Sequence, residues 1–145
     1  AALVYLDAYI PKDGQSWRDM VLPQRHAETV KLVKEEGEGW WIPARSAESF
    51  EVRSAVDRDW VNCHCTPHPF ATMNEPTHLN GAWQAVPHKA YILAARYGAS
   101  SFGPYAERAK ADGDWSYHEV DGGHDVMVDE PDALAEILLQ LGGMA

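Results

Sequence analysis

Asp7 and His124 are two side chains of this 145-residue chain whose types and settings suit acid–base chemistry together. Asp7 ends the run Leu3-Val4-Tyr5-Leu6, which reads as a strand. His124 lies in Val120-Asp121-Gly122-Gly123-His124-Asp125-Val126-Met127, directly after another predicted strand. In an open parallel sheet, ligands bind beyond the carboxyl ends of the strands. Two glycines before His124 permit a sharp turn and leave the imidazole free at the sheet's rim. A carboxylate and an imidazole on one rim can form the acid–base pair of a catalytic triad, the carboxylate fixing the ring's tautomer. The plain alternative makes His124 an ordinary loop histidine and Asp7 a helix cap. Spacing alone leaves both open.

Other residues invite chemistry less strongly. Cys63-His64-Cys65-x-x-His68 has the ligand types of a zinc site, yet no second cysteine pair completes a four-ligand set. His78 and His88 could contribute only by folding back. No metal is expected, and a Cys63–Cys65 disulfide would be strained. Trp17, Trp40, Trp41, Trp60, Phe70 and Met73 are concentrated in one stretch, and Met127 follows the histidine. Trp17, Trp40, Trp41, Trp60, Phe70 and Met127 are the candidates for lining an apolar substrate pocket. A small local core is the simpler expectation for most of the aromatic group. Arg96-Tyr97 reads as a surface pair at a strand end, and His118, inside a strand, as packed or solvated.

The elements that must position these residues follow from the pattern. Leu3 to Leu6 is an unbroken apolar run, as in a strand covered on both faces. It has no polar lead-in, so the sequence reads as an interior strand and the chain as an incomplete polypeptide whose other sheet neighbour lies elsewhere. Pro11 and Gly14 mark a loop. An irregular stretch follows, with short helices at Ala27–Glu35 and Ala47–Trp60 and four of the six tryptophans. Lys89–Ala95 reads as a strand, Ser101–Ala111 as a helix and Trp115–Val120 as an alternating strand. Pro131 opens a last helix, with Ala133, Leu134, Ile137, Leu138 and Leu141 on one face. Strand, insertion, strand, helix, strand, helix is the order of a parallel α/β sheet.

Composition bounds the function. Asp plus Glu number 22 against 12 Lys plus Arg, a net charge of −10. A surface so acidic repels phosphate, which argues against nucleic acid and anionic membranes as partners. No apolar run approaches the roughly 20 residues of a membrane helix. Two cysteines and no basic signal-peptide region at the amino end give the expectation of a cytoplasmic protein.

The same segments carry a resemblance. Leu3-Val-Tyr-Leu-Asp-Ala-Tyr-Ile-Pro11 with Asp13-Gly14 resembles the sixth strand of an α/β-hydrolase of the small esterase and hydroxynitrile-lyase group. Pro87-His-Lys-Ala-Tyr-Ile-Leu93 is similar to its seventh strand, and Trp60 to Pro76 to part of its lid. Gly123-His-Asp-Val-Met127 with Glu130-Pro131 resembles the loop that delivers the catalytic histidine. The likeness covers essentially all of residues 1–145 but only the back half of the fold, with residues 12–86 as the lid insertion.

The resemblance implies a carboxylesterase-like hydrolase acting through acyl transfer, with His124 as general base and no cofactor. Many relatives place the acid after strand seven, but Lys89 to Ala106 holds no Asp or Glu, and Arg96-Tyr97-Gly98 occupies that turn. Haloalkane dehalogenases, within the same superfamily, use an acid at the end of strand six, the position of Asp7. Asp125 is badly placed to orient its neighbour's ring and is expected to bond the loop backbone. The family's serine sits in a Gly-x-Ser-x-Gly elbow. Ser16, Ser46, Ser49, Ser54, Ser100, Ser101 and Ser116 all lack that pattern. The nucleophile is therefore expected upstream of Ala1, in the front half of the fold, on the same or a separate chain. Expected partners are a small ester and that front half, with a homodimer also open. A hydroxynitrile lyase would need a cation in the pocket, for which the sequence offers no convincing candidate. A non-catalytic fragment or binding module is the remaining alternative.

Overall fold

The computed structural model describes residues 1–97 and 101–143. Gly98 of the Arg96-Tyr97-Gly98 turn and Ser100 lie outside them. The elements run β1 (Ala2–Leu6), α1 (Trp17–Met20), α2 (Pro23–Glu36), β2 (Trp41–Ile42), α3 (Ala55–His64), β3 (His68–Pro69) and α4 (Ala71–Asn74). After these come β4 (His88–Ala94), α5 (Gly103–Ala111), β5 (Trp115–Val120), α6 (Val126–Asp129) and α7 (Pro131–Gly143). Single 3₁₀ turns form at Ala47–Phe50 and Ala82–Ala85.

The main sheet has the order β1-β4-β5 and is parallel throughout. β4 is central and covered on both faces: Ala90, Tyr91, Ile92, Leu93 and Ala94 are all buried. Its side chains alternate between two cores. Tyr91 and Leu93 join Ile10, Phe102, Ala106 and Ala109 under α5. Ile92 and Ala94 join Val120, Val126 and Leu134 under α6 and α7. The sequence places β1 as an interior strand, whereas in this chain it is an end strand, half-buried along its length. Among the described residues nothing pairs with its other edge.

Segment 12–86 differs from its expected form in detail. The single helix expected over Ala47–Trp60 is a 3₁₀ turn followed by α3, because Glu51 adopts the left-handed conformation (φ 61°) and ends the first turn. Ser54 then caps α3, its hydroxyl accepting the Asp57 N–H at 3.3 Å. β2 and β3 form a short antiparallel pair that period reading missed, since two residues carry no alternation. Ala47, Val52 and Val61 make a small core, with Phe50, Cys65 and Val128 against it.

Candidate active site

Register brings the two rim segments together. Leu6 pairs with Ile92, which pairs with His118, and Ala94 pairs with Val120. The chain after Leu6 and the chain after Val120 therefore flank the carboxyl end of β4 from opposite sides. Strand spacing sets them roughly 9–10 Å apart, and only side chains reaching over β4 can meet. Ala94 leaves that space open.

Asp7 adopts a left-handed conformation (φ 42°), one that Asp tolerates better than most residues. Its N–H still donates to Ile92 O at 2.7 Å, so the strand ends there and the side chain turns over the rim. Tyr91 fixes the next residue, its hydroxyl donating to Ala8 O at 2.7 Å and accepting the Ala8 N–H at 3.2 Å. Burial pushes the Tyr91 hydroxyl well above its ordinary pKa, so it stays a neutral donor. The Asp7 carboxylate is 1% exposed. One oxygen accepts the Ala94 N–H at 3.3 Å, and the other lies 2.6 Å from His124 Nδ1. A buried carboxylate must be matched by donors, which assigns Nδ1 as the donor to Asp7; in the neutral ring the lone pair then falls on Nε2.

The imidazole is held in its plane by aromatic rings. Tyr97 stacks on it at 4.7 Å between centroids, Phe102 lies nearly parallel at 5.4 Å, and Phe50 sits at 5.8 Å. Tyr97 is thus no surface pair with Arg96: it is half-buried against the His124 ring, in the turn after β4. The backbone of His124 is tied to segment 12–86, its N–H donating to Phe50 O at 2.8 Å. Gly123 permits that approach. A Cβ there would lie 2.5 Å from Phe50 O and 2.6 Å from Glu51 O. Asp125 departs from expectation: its carbonyl, not its carboxylate, accepts the Val128 and Asp129 N–H groups. Burial of that carboxyl pushes its pKa above the ordinary value.

The six substrate-lining candidates divide among different places. Trp17 borders a cleft of about 570 Å³ with Leu32, Ile42, Pro43, Phe50 and Met73. Phe70 packs on His26, which packs on Trp17. Trp40 and Trp41 lie against each other at 4.5 Å and do not border that cleft. Trp60 stacks on His64 and shares a separate hollow with Met127. Phe50 is the residue common to the cleft and the imidazole, and sequence reading missed it because nothing marks one phenylalanine in an irregular stretch. Arg25 and Arg45 also border the cleft, Arg45 lying over the Phe50 ring at 4.9 Å. Cations are therefore present where none was foreseen.

Cys63, His64, Cys65 and His68 go separate ways. His64 Nδ1 meets Trp60 O at 2.7 Å, His68 Nε2 meets Thr72 Oγ1 at 2.6 Å, and both thiols are free. Among the described residues no group of three His, Cys, Asp or Glu side chains is arranged to hold a metal ion.

Known proteins resemble this chain over nearly its whole length. A carbendazim-hydrolysing esterase from Nocardioides sp. (strain SG-4G) is 38% identical over 151 residues, covering 97% of this chain and 61% of the esterase. An extracellular α/β-hydrolase from a Paenibacillus species, described as sharing structural and functional homology with tobacco salicylic acid binding protein 2, superposes with a TM-score of 0.76 at 22% identity. That match covers 97% of this chain and 61% of the solved one. The chain thus spans about three-fifths of each relative's length. No family model matches it.

Proposed function

We propose that this chain, which belongs to the α/β-hydrolase superfamily, supplies the acid and the general base of a carboxylic ester hydrolase. The observation that carries the reading is the 2.6 Å hydrogen bond between His124 Nδ1 and buried Asp7. It fixes the tautomer in which Nε2 can accept a proton.

In the proposed reaction, Nε2 takes the proton of a serine hydroxyl as the oxygen attacks the ester carbonyl. The imidazolium then returns that proton to the departing alcohol, and a water deprotonated by the same Nε2 cleaves the acyl-serine, releasing the acid and restoring the serine hydroxyl. Asp7 orients the ring and stabilises its charged form. The serine belongs to residues outside this chain, since Gly-x-Ser-x-Gly is absent from its sequence. Residues 12–86 act as the lid, and the cleft bordered by Trp17, Ile42, Phe50 and Met73 receives an apolar part of the substrate. The front half of the fold completes the sheet beside β1. Two free thiols suit a reducing compartment, and a cytoplasmic location belongs to the proposal.

Asp7→Asn in the complete polypeptide tests this reading. Asn also tolerates a left-handed backbone, so the fold should persist, while p-nitrophenyl ester hydrolysis should fall roughly 10⁴-fold because the wrong tautomer faces the serine. Near-normal turnover in Asp7→Asn would remove the acid assignment. Near-normal turnover in His124→Ala would remove the hydrolase reading altogether. Arg25 and Arg45 beside the cleft favour a second reading, a hydroxynitrile lyase with a guanidinium holding the cyanide leaving group. Cyanide release from a cyanohydrin, measured beside ester cleavage, separates the two.

A further inference from the structure

The loop that delivers His124 is fastened to segment 12–86 through one carboxylate. Asp129 Oδ2 accepts the Gly123 N–H at 2.9 Å, one residue before the base. Its Oδ1 accepts the Arg53 N–H at 2.9 Å, three residues beyond Phe50, which meets His124. Around this clamp, the Arg53 guanidinium forks to Glu130 at 2.6 Å and to Asp121 at 2.9 Å. Both carboxylates belong to the base's own loop and the start of its following helix. Val128, between them, packs on the small core of Ala47, Val52 and Val61.

We propose that Asp129 is a positioning residue for His124. By taking one N–H from each segment, it registers the base's loop against residues 50–53 and so sets where Nε2 points. The ring's aromatic contacts with Tyr97 and Phe102 fix its plane but not its advance along the rim. The Gly123 and His124 backbone bonds set that advance, and Asp129 holds one of the two. Arg53 is the outer brace: its side chain adds charge pairing, while its backbone N–H is what Asp129 uses. The proposal rests on the hydrolase reading for its catalytic consequence, but the geometry of the pair can be read without turnover.

The complete polypeptide with Asp129→Asn is the primary test. The amide can accept one of the two N–H groups with its oxygen but presents a donor to the other. Turnover number should fall between about tenfold and a hundredfold, the scale of a misplacement near 1 Å, with KM changed less than threefold. The His124 Nδ1 proton resonance, far downfield in the parent, should shift or broaden by faster exchange. Arg53→Ala keeps the backbone N–H and should lose less than Asp129→Asn on both readouts. An unchanged turnover number in Asp129→Asn would overturn the proposal. So would a loss equal to the unfolded fraction, accompanied by an unmoved Nδ1 resonance. If His124→Ala itself remains active, the hydrolase reading fails instead. The Nδ1 resonance of Asp129→Asn still decides whether this carboxylate positions the ring.

Discussion

Along β4, five consecutive residues from Ala90 to Ala94 are buried, whereas in all of segment 12–86 only Ser16, Val33, Gly37, Ala47, Val52 and Val61 reach that state. The sheet is held by regular backbone ladders between two apolar layers. Segment 12–86 has one long helix, the 14-residue α2, and otherwise short elements, and the Arg53–Asp129 bond is among its ties to the rest of the molecule. Yet both regions touch His124, the sheet through Asp7 and segment 12–86 through Phe50. Asp7 is therefore built into the more deeply buried part of the molecule. His124 sits where that part meets the less buried one, so its geometry depends on a few replaceable contacts.

The comparison can be broken most sharply at the rim. His124→Ala in the complete polypeptide should lose roughly 10⁴-fold in ester turnover and also lower the thermal midpoint, since it leaves the buried Asp7 carboxylate without its Nδ1 partner. Next comes packing. Ile92→Ala, in the centre of β4, should cost about 2–5 kcal/mol in denaturant unfolding. Val52→Ala, in the small core of segment 12–86, should cost about 1–2 kcal/mol for its lost methyl groups. Equal costs would show that this small core is as well consolidated as the sheet.

An effect of similar size is expected where the backbone after Asp7 is anchored. Tyr91→Phe removes the partner of the part-buried Ala8 N–H and C=O and should cost about 1–3 kcal/mol. It should also lower turnover, because Asp7 is the residue before. Asp125 gives the pH test. Burial raises its folded pKa above the ordinary 3.8, so the folded state holds the proton to higher pH than the unfolded chain does. Stability then falls as pH rises through the window above 3.8, and the penalty is complete at neutral pH. Asp125→Asn should raise the unfolding free energy at pH 7 by less than about 1 kcal/mol, given solvent screening. The gain should vanish as pH approaches the ordinary value. Smallest of all, Lys31→Ala removes an exposed i,i+4 contact of 4.0 Å with Glu35 and should stay within about 0.5 kcal/mol of the parent.

Periodicity and punctuation in the chain were enough to determine its three parallel strands, its closing helix and the rim placement of Asp7 and His124. These are local signals: an apolar run long enough to be buried, a Gly-Gly turn after a strand, a proline at a helix start. Trp115–Val120 falls where alternation puts it, and β4 and α5 begin within one or two residues of their expected limits. The absence of Asp and Glu between Lys89 and Ala106 also pointed to Asp7, by elimination within a resemblance. Tertiary structure alone decided what surrounds the pair. Tyr97 and Phe102 against the imidazole, Phe50 joining it to the cleft, and Asp129 bridging Gly123 to Arg53 all join positions that no period connects. Their physical basis is distance in space between residues distant in sequence, such as the 76 positions between Arg53 and Asp129. A side chain's type does not record which backbone N–H will come within its reach.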